Sequence, residues 1–167
     1  MKRKLLSVFC AVLLLLMAGV NRASAQADIF DRVVGFVDNA AITLSELNEQ
    51  YEKTVKVSPD ITREEVLNTM INRILLLREA RKYRIEGLSA DDMVKEYINL
   101  KVRAFIRVTD AETEEFYRKN TARFGSRDYE DVRADIENYL TEKTLNERLK
   151  EMLRDLRKGA YIKIQLK

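Results

Sequence analysis

The chain has 167 residues, 34% of them charged, and it contains no histidine, no tryptophan and a single cysteine. These absences exclude the usual zinc sites and every nucleophile that depends on an imidazole base. The first 25 positions hold four of the 30 basic and none of the 27 acidic residues, so the remainder has a net charge of −1, which argues against nucleic-acid binding.

The N-terminal segment has the three-part layout of a secretory signal peptide. Basic residues 2–4 precede an apolar run over residues 5–20, and small side chains close the segment. We predict cleavage between Ala25 and Gln26, which leaves a mature chain without cysteine in the periplasm of a bacterium.

Two alternatives to cleavage are less favoured by the same segment. An uncleaved membrane anchor is disfavoured because the apolar run has 16 residues, fewer than the roughly 20 that span a bilayer as a helix. A lipoprotein is disfavoured because Cys10 lies inside the apolar run, whereas a lipidated cysteine should close it.

The mature chain begins with a predicted β-hairpin. Residues 32–37 are rich in β-branched and apolar side chains on both faces, which is typical of a buried strand. Residues 38–40 supply turn chemistry, because aspartate and asparagine tolerate positive φ. Residues 41–42 then return as a short second strand.

Capping residues mark the starts of four helices. A threonine followed three positions later by glutamate forms a capping box, in which both side chains satisfy backbone N–H groups of the first turn. A serine followed by aspartate is a weaker version. The four starts are Thr43 with Glu46, Thr62 with Glu65, Ser89 with Asp92, and Thr109 with Glu112.

Two of the predicted helices are long. The second, from about residue 63 to 83, is apolar over more than half its circumference and should be the core element. The last, roughly residues 129–157, would be about 43 Å long. Lys158 and Gly159 end it, the glycine being free to adopt a left-handed cap.

The last residues predict a strand, because apolar and polar side chains alternate from Ala160 to Lys167. A lone strand needs a partner, and the other β material is the hairpin. We therefore predict one domain over residues 26–167. It is mostly α, with about five helices, a long C-terminal helix, and a small antiparallel sheet that joins the hairpin to the C-terminal strand.

The sequence predicts no enzyme and no cofactor or metal. Its glycines are isolated, so no phosphate-binding loop is present. Carboxylates cluster at helix starts or beside lysine and arginine, where capping and helix-dipole compensation explain them.

The order of these motifs resembles that of the SurA-type periplasmic chaperones and their foldase relatives. The resemblance spans essentially the whole mature chain. Its parts are residues 31–43 (DRVVGFVDNAAIT), 72–80 (NRILLLREA), 108–112 (VTDAE) with Phe116 and Tyr117, and 153–158 (LRDLRK) with 160–162 (AYI).

The chain departs from many of these relatives at one point. A parvulin-type prolyl isomerase domain with a histidine-containing site lies between their aromatic helix and their last helix. Here about a dozen residues separate Tyr117 from the final predicted helix, and the chain has no histidine. The resemblance therefore implies the chaperone domain alone, without isomerase activity. A degenerate isomerase is a less favoured alternative.

The resemblance implies a periplasmic, ATP-independent chaperone that binds unfolded or partly folded secreted proteins, including outer-membrane proteins. The alternative is a dedicated interaction subunit that docks one fixed partner or forms a homodimer by strand or helix exchange. Apolar side chains on the third and fourth helices are the candidate client contacts, with ordinary helix core as the competing interpretation. They are Met93, Tyr97, Leu100, Phe105, Phe116 and Tyr117.

Overall fold

The computed structural model describes residues 31–166, and the predicted signal peptide, with its cleavage site between Ala25 and Gln26, lies outside them. The elements are β1 (Val33–Val37), β2 (Ala40–Thr43), α1 (Leu44–Thr54), α2 (Arg63–Lys82), α3 (Ala90–Lys101), a 3-10 turn (Arg103–Phe105), α4 (Asp110–Lys119), α5 (Thr121–Phe124), α6 (Tyr129–Lys158) and β3 (Ile162–Ile164). The predicted mostly helical fold with a small antiparallel sheet and a long last helix is confirmed.

All four predicted helix starts are confirmed. Thr43, Thr62 and Thr109 each accept the backbone N–H of the glutamate three positions on, and that glutamate accepts the threonine N–H in return. Ser89 accepts the N–H of Asp92 at 3.1 Å. The single-turn helix α5 is not among the five predicted helices. Its N-cap residue, Asn120, makes no side-chain cap bond, so no capping pattern in the sequence marks its start.

The end of α6 differs from the prediction. Gly159 has φ −87°, so the predicted left-handed cap is wrong, and its N–H donates to the Asp155 carbonyl at 3.3 Å. The glycine with positive φ is Gly125, with φ 63° and ψ −123°, in the turn between α5 and α6. A glycine after a helix is free to adopt either positive or negative φ. Here the chain enters β3 without the change of direction that a left-handed cap would produce.

The capping boxes that begin α2 and α4 make the stability of the fold pH-dependent. Hydrogen bonds from the threonine backbone N–H and then from its hydroxyl lower the pKa of Glu65 and Glu112 below the usual 4.5. The unfolded chain therefore binds more protons in acid. The stabilisation is complete above the unfolded pKa and is lost as the pH falls through the folded pKa.

We expect the double substitution Glu65→Gln/Glu112→Gln to flatten the fall in melting temperature between about pH 5 and pH 3, because glutamine cannot take up a proton there. Circular dichroism melts at four pH values measure the effect. The control is Glu64→Gln/Glu114→Gln, which removes two carboxylates near the starts of the same helices but outside the capping boxes. The expectation would be contradicted if the melting temperature fell equally with pH in the wild type and in the capping variant.

The three strands form one sheet in the order β2-β1-β3, with both pairings antiparallel. Phe36 is opposite Ala41 on one side and Lys163 on the other. The predicted sheet that joins the hairpin to the C-terminal strand is thereby confirmed. Asp38 takes φ 51° in the hairpin turn, as the predicted turn chemistry requires.

Helix α2 is the centre of the core. Leu67, Ile71 and Leu75 are fully buried and pack with the inward side chains of the sheet and with α1. Further along α2, Leu76 and Ala80 form a second cluster with α3 and with the C-terminal half of α6. The sheet and α2 thus support the last part of the long helix.

The N-terminal half of α6 packs against α4, where Tyr129 meets Tyr117 and Tyr139 meets Phe116. Arg133 pairs with Asp110 at 2.6 Å, and the Asp110 charge raises the pKa of the guanidinium. At mid-helix, Arg103 binds Glu142 at 2.7 Å, and this hydrogen bond lowers the pKa of the Glu142 carboxyl. The long helix therefore connects the sheet end of the domain to a smaller aromatic assembly around α4 and α5.

Candidate functional site

The candidate site is a shallow apolar groove where α4, α5 and the first half of α6 meet. Its volume is about 280 Å³. The aromatic groove, as we call it, is lined by Phe116, Arg123, Phe124, Arg127, Asp135, Ile136 and Tyr139. Three helices each contribute an aromatic ring, so the apolar lining depends on the short helix α5 folding back between its neighbours.

Ring packing gives the aromatic groove its shape. The centroids of Phe116 and Tyr139 are 5.2 Å apart with the ring planes tilted by 42°, and Phe124 meets Phe116 edge-on at 6.4 Å. Behind them, Tyr117 stacks on Phe124 at 5.3 Å. These offset and edge contacts are the preferred geometries of aromatic pairs.

Hydrogen bonds hold the back of the assembly in place. The Tyr117 hydroxyl donates to the Arg127 carbonyl at 2.8 Å, which ties α4 to the segment before α6. The buried Thr113 hydroxyl and the Tyr129 hydroxyl are 2.7 Å apart. These two tyrosines are thereby fixed by polar contacts, whereas Phe116 is held by packing alone and Tyr139 is 49% exposed.

The rim of the aromatic groove is charged. Arg123 and Arg127 carry guanidinium groups on one side, and Asp135 carries a carboxylate on α6. Arginine side chains cover apolar surface with their stems and stack on aromatic faces. The groove therefore suits one large apolar or aromatic side chain whose flanking backbone stays near water.

The six predicted client contacts are divided among three places. Phe116 lines the aromatic groove and Tyr117 supports it from behind. Met93 and Tyr97 pack in the second core cluster, where Tyr97 is only 4% exposed and burial raises the pKa of its hydroxyl. Tyr97 therefore fits the competing interpretation of helix core, and Met93 is a partly buried member of the same cluster.

Leu100 and Phe105 are exposed, by 50% and 65% respectively. The prediction that Phe105 lies on the third helix is wrong, because α3 ends at Lys101 and Phe105 lies in the 3-10 turn that follows. These two side chains present a separate apolar surface at the end of α3, outside the lining of the aromatic groove.

The sequence prediction missed three principal members of the aromatic groove: Phe124, Arg123 and Tyr139. Tyr139 fits the apolar repeat of the last helix, yet it is half-exposed. Phe124 lies on the unpredicted helix α5. A usable signal was the density of aromatic residues, five of which lie between positions 116 and 139.

Among the described helices, none has the apolar stretch that a bilayer-spanning segment requires. Within residues 31–166, histidine, cysteine and acidic side chains nowhere gather in a group of three that would hold a metal ion. No protein-family model matches the sequence, and no curated protein matches it significantly. The resemblance to the SurA-type chaperones stays a prediction from the motifs.

Proposed function

We propose that the mature chain is a periplasmic, ATP-independent chaperone that holds unfolded or partly folded secreted proteins, including outer-membrane proteins, and has no isomerase activity. The observation that carries the proposal is the open aromatic groove, in which the Tyr139 ring is half-exposed beside Phe116. The predicted export signal and the resemblance of the motifs support the same proposal.

The size of the aromatic groove accounts for reversible holding. Burying one apolar side chain contributes about 1.5–3 kcal/mol, which alone corresponds to binding weaker than millimolar. A client held there is released without an energy source. Useful retention then requires several weak contacts along one client chain, because linked contacts multiply the overall affinity.

Exposed apolar side chains elsewhere supply such additional contacts. Leu100 and Phe105 lie at the end of α3, and the fully exposed Leu88 lies in the loop before α3. They would contact other parts of a client whose aromatic side chain occupies the aromatic groove.

The first test is light scattering after dilution of a urea-denatured outer-membrane protein. We expect the mature chain at several-fold excess to suppress aggregation, and Tyr139→Ser to require about three times more chaperone for the same suppression. Tyr139 is half-exposed, so the variant should keep its fold, which circular dichroism checks.

The matched control is Tyr161→Ser, which removes a tyrosine that is 63% exposed beside β3. We expect it to behave as the wild type. A wild-type chain that leaves aggregation unchanged would contradict the chaperone proposal, and equal losses in both variants would contradict the assignment to the aromatic groove.

The edge of the sheet favours the second candidate function, a dedicated interaction subunit. The Asp38 N–H donates to the Tyr161 carbonyl and the Gln165 N–H donates to the Val34 carbonyl, both at 2.8 Å. The peptide groups of Ile162 and Ile164 therefore point away from β1, towards the open edge of the sheet. Such an edge accepts a further strand from a partner or a second copy.

Size-exclusion chromatography with light scattering over a hundredfold concentration range tests this alternative. A stable homodimer that Ile164→Pro abolishes would favour the interaction subunit, because proline cannot donate an N–H to an added strand. Crosslinking in the periplasm separates the two functions further. One stoichiometric partner indicates the adaptor, whereas many substoichiometric envelope proteins indicate the chaperone.

A further inference from the structure

A second groove, of about 450 Å³, runs between α2 and the C-terminal half of α6. Its floor contains two leucines one helical turn apart, its walls are amide side chains, and its remaining members are cations. This cationic groove is lined by Asn68, Asn72, Asn146, Leu149, Lys150, Leu153, Arg154 and Arg157.

The charge of this lining is not compensated within the groove, because it includes three cations and no carboxylate. The groove between α1, α2 and α3 differs, since its cations are neutralised within its own lining: Lys53 pairs with Glu49 and Arg73 with Asp91, each at 2.6 Å. The excess positive charge is therefore local, in a mature chain whose net charge is −1.

Arg157 is oriented by neutral groups. Its Nη1 donates to Asn72 Oδ1 at 2.6 Å and its Nη2 to Asn68 Oδ1 at 2.7 Å, in a partly buried contact. These bonds fix the orientation of the guanidinium but do not neutralise its charge, because the asparagine side chains are uncharged. The adjacent Asp155 pairs with Lys158 at 2.8 Å, which lowers the pKa of that carboxyl, and it lies outside the lining of the cationic groove.

The geometry points to an acidic, extended segment of a client polypeptide as the occupant of the cationic groove. Carboxylates form strong charge-assisted bonds with arginine and lysine, and the amides of Asn72 and Asn146 suit peptide groups. Leu149 and Leu153 are about 6 Å apart along the helix, close to the roughly 6.6 Å between alternate side chains of an extended chain. This inference rests on the proposed function, because a client supplies the segment.

The small extent of the cationic groove favours a single polypeptide over a membrane surface. A lipid bilayer presents a broad anionic face and would engage exposed cations across a wide area. Here the exposed cations Lys150 and Arg154 flank two leucines within a lining of eight residues, and Arg157 is held against α2.

Fluorescence anisotropy tests the inference with a labelled octapeptide that alternates glutamate and leucine. The matched peptide has glutamine in place of glutamate. We expect the mature chain to bind the glutamate peptide about tenfold more tightly, with affinity falling as salt is raised. Lys150→Gln/Arg154→Gln should weaken binding about tenfold, and Arg157 is left intact because it packs α6 on α2.

The control variant is Lys95→Gln/Arg148→Gln, which removes the same charge from exposed positions outside the cationic groove. It should change the affinity less than twofold. Equal binding of the two peptides, or equal losses in the two variants, would overturn the inference. Binding to phosphatidylglycerol vesicles without binding to the glutamate peptide would overturn the choice of a polypeptide occupant.

The aggregation assay separates this inference from the proposed function. A wild type that suppresses aggregation but binds the two peptides equally contradicts the cationic groove alone. A wild type that binds the glutamate peptide selectively but leaves aggregation unchanged contradicts the chaperone proposal and, with it, the identity of the occupant as a client.

Discussion

Replacing Leu67 by alanine is expected to lower the free energy of unfolding by about 3 kcal/mol. Leu67 is fully buried where α2 meets the sheet. A Cβ atom on Gly35 of β1 would lie 3.3 Å from Leu67 Cδ1, so the strand and the helix are already in close contact there. Because the surrounding backbone is regular secondary structure, the vacated volume cannot collapse easily.

Urea unfolding followed by circular dichroism measures the loss. The control is Leu88→Ala, because Leu88 is fully exposed in the loop before α3 and its truncation should change the free energy by less than about 0.5 kcal/mol. A loss below about 1 kcal/mol for Leu67→Ala would mean that the contact between α2 and β1 is not the centre of the core.

The elements that the sequence predicted well are those whose signals are local. Thr62 and Glu65 lie in one helical turn and mark the start of α2 without help from the rest of the chain. The apolar repeat of α6 likewise identifies a long helix from its own residues. The strand at the C-terminus needed one further step, since its pairing with the hairpin followed from the need of β3 for a partner.

The aromatic groove was only partly predictable, because a periodic pattern gives the apolar face of a helix but not what covers it. Tyr139 lies on the apolar stripe of α6, yet α4 and the single turn α5 are too short to cover this part of a 30-residue helix. Tyr97 shows the converse, since α2 and the end of α6 cover a side chain that the sequence offered as a candidate client contact. Both outcomes depend on how helices distant in sequence pack together.

The cationic groove was not predictable for a related reason. Asn68 and Asn72 are separated from Arg157 by 89 and 85 residues, and their amides resemble ordinary polar positions on the face of α2. Lys150, Arg154 and Arg157 resemble a solvated helix face. Their spacing places these three cations on one face of α6, but only the packing of α6 on α2 shows that this face and two asparagines of α2 line one groove without a carboxylate.

Asp38 connects three parts of the chain, and Asp38→Ala is expected to lower the free energy of unfolding by about 2.5 kcal/mol. Its Oδ1 accepts the Tyr161 N–H at 2.8 Å, its own N–H donates to the Tyr161 carbonyl, and its Oδ2 pairs with Arg78 of α2. Alanine removes the acceptor and is strained at φ 51°. The half-exposed ion pair contributes little of the total.

Asp38→Asn separates these contributions, because asparagine tolerates positive φ and keeps an oxygen for the Tyr161 N–H while it loses the charge. We expect a loss below about 1 kcal/mol for this variant, and no measurable loss for Asp60→Ala in the exposed loop before α2. Amide hydrogen exchange at Lys163 and Gln165, whose N–H groups face β1, should accelerate in Asp38→Ala only, since the turn positions the start of β3. Equal losses for the alanine and asparagine variants would instead assign the connection between the two chain ends to the Arg78 pair.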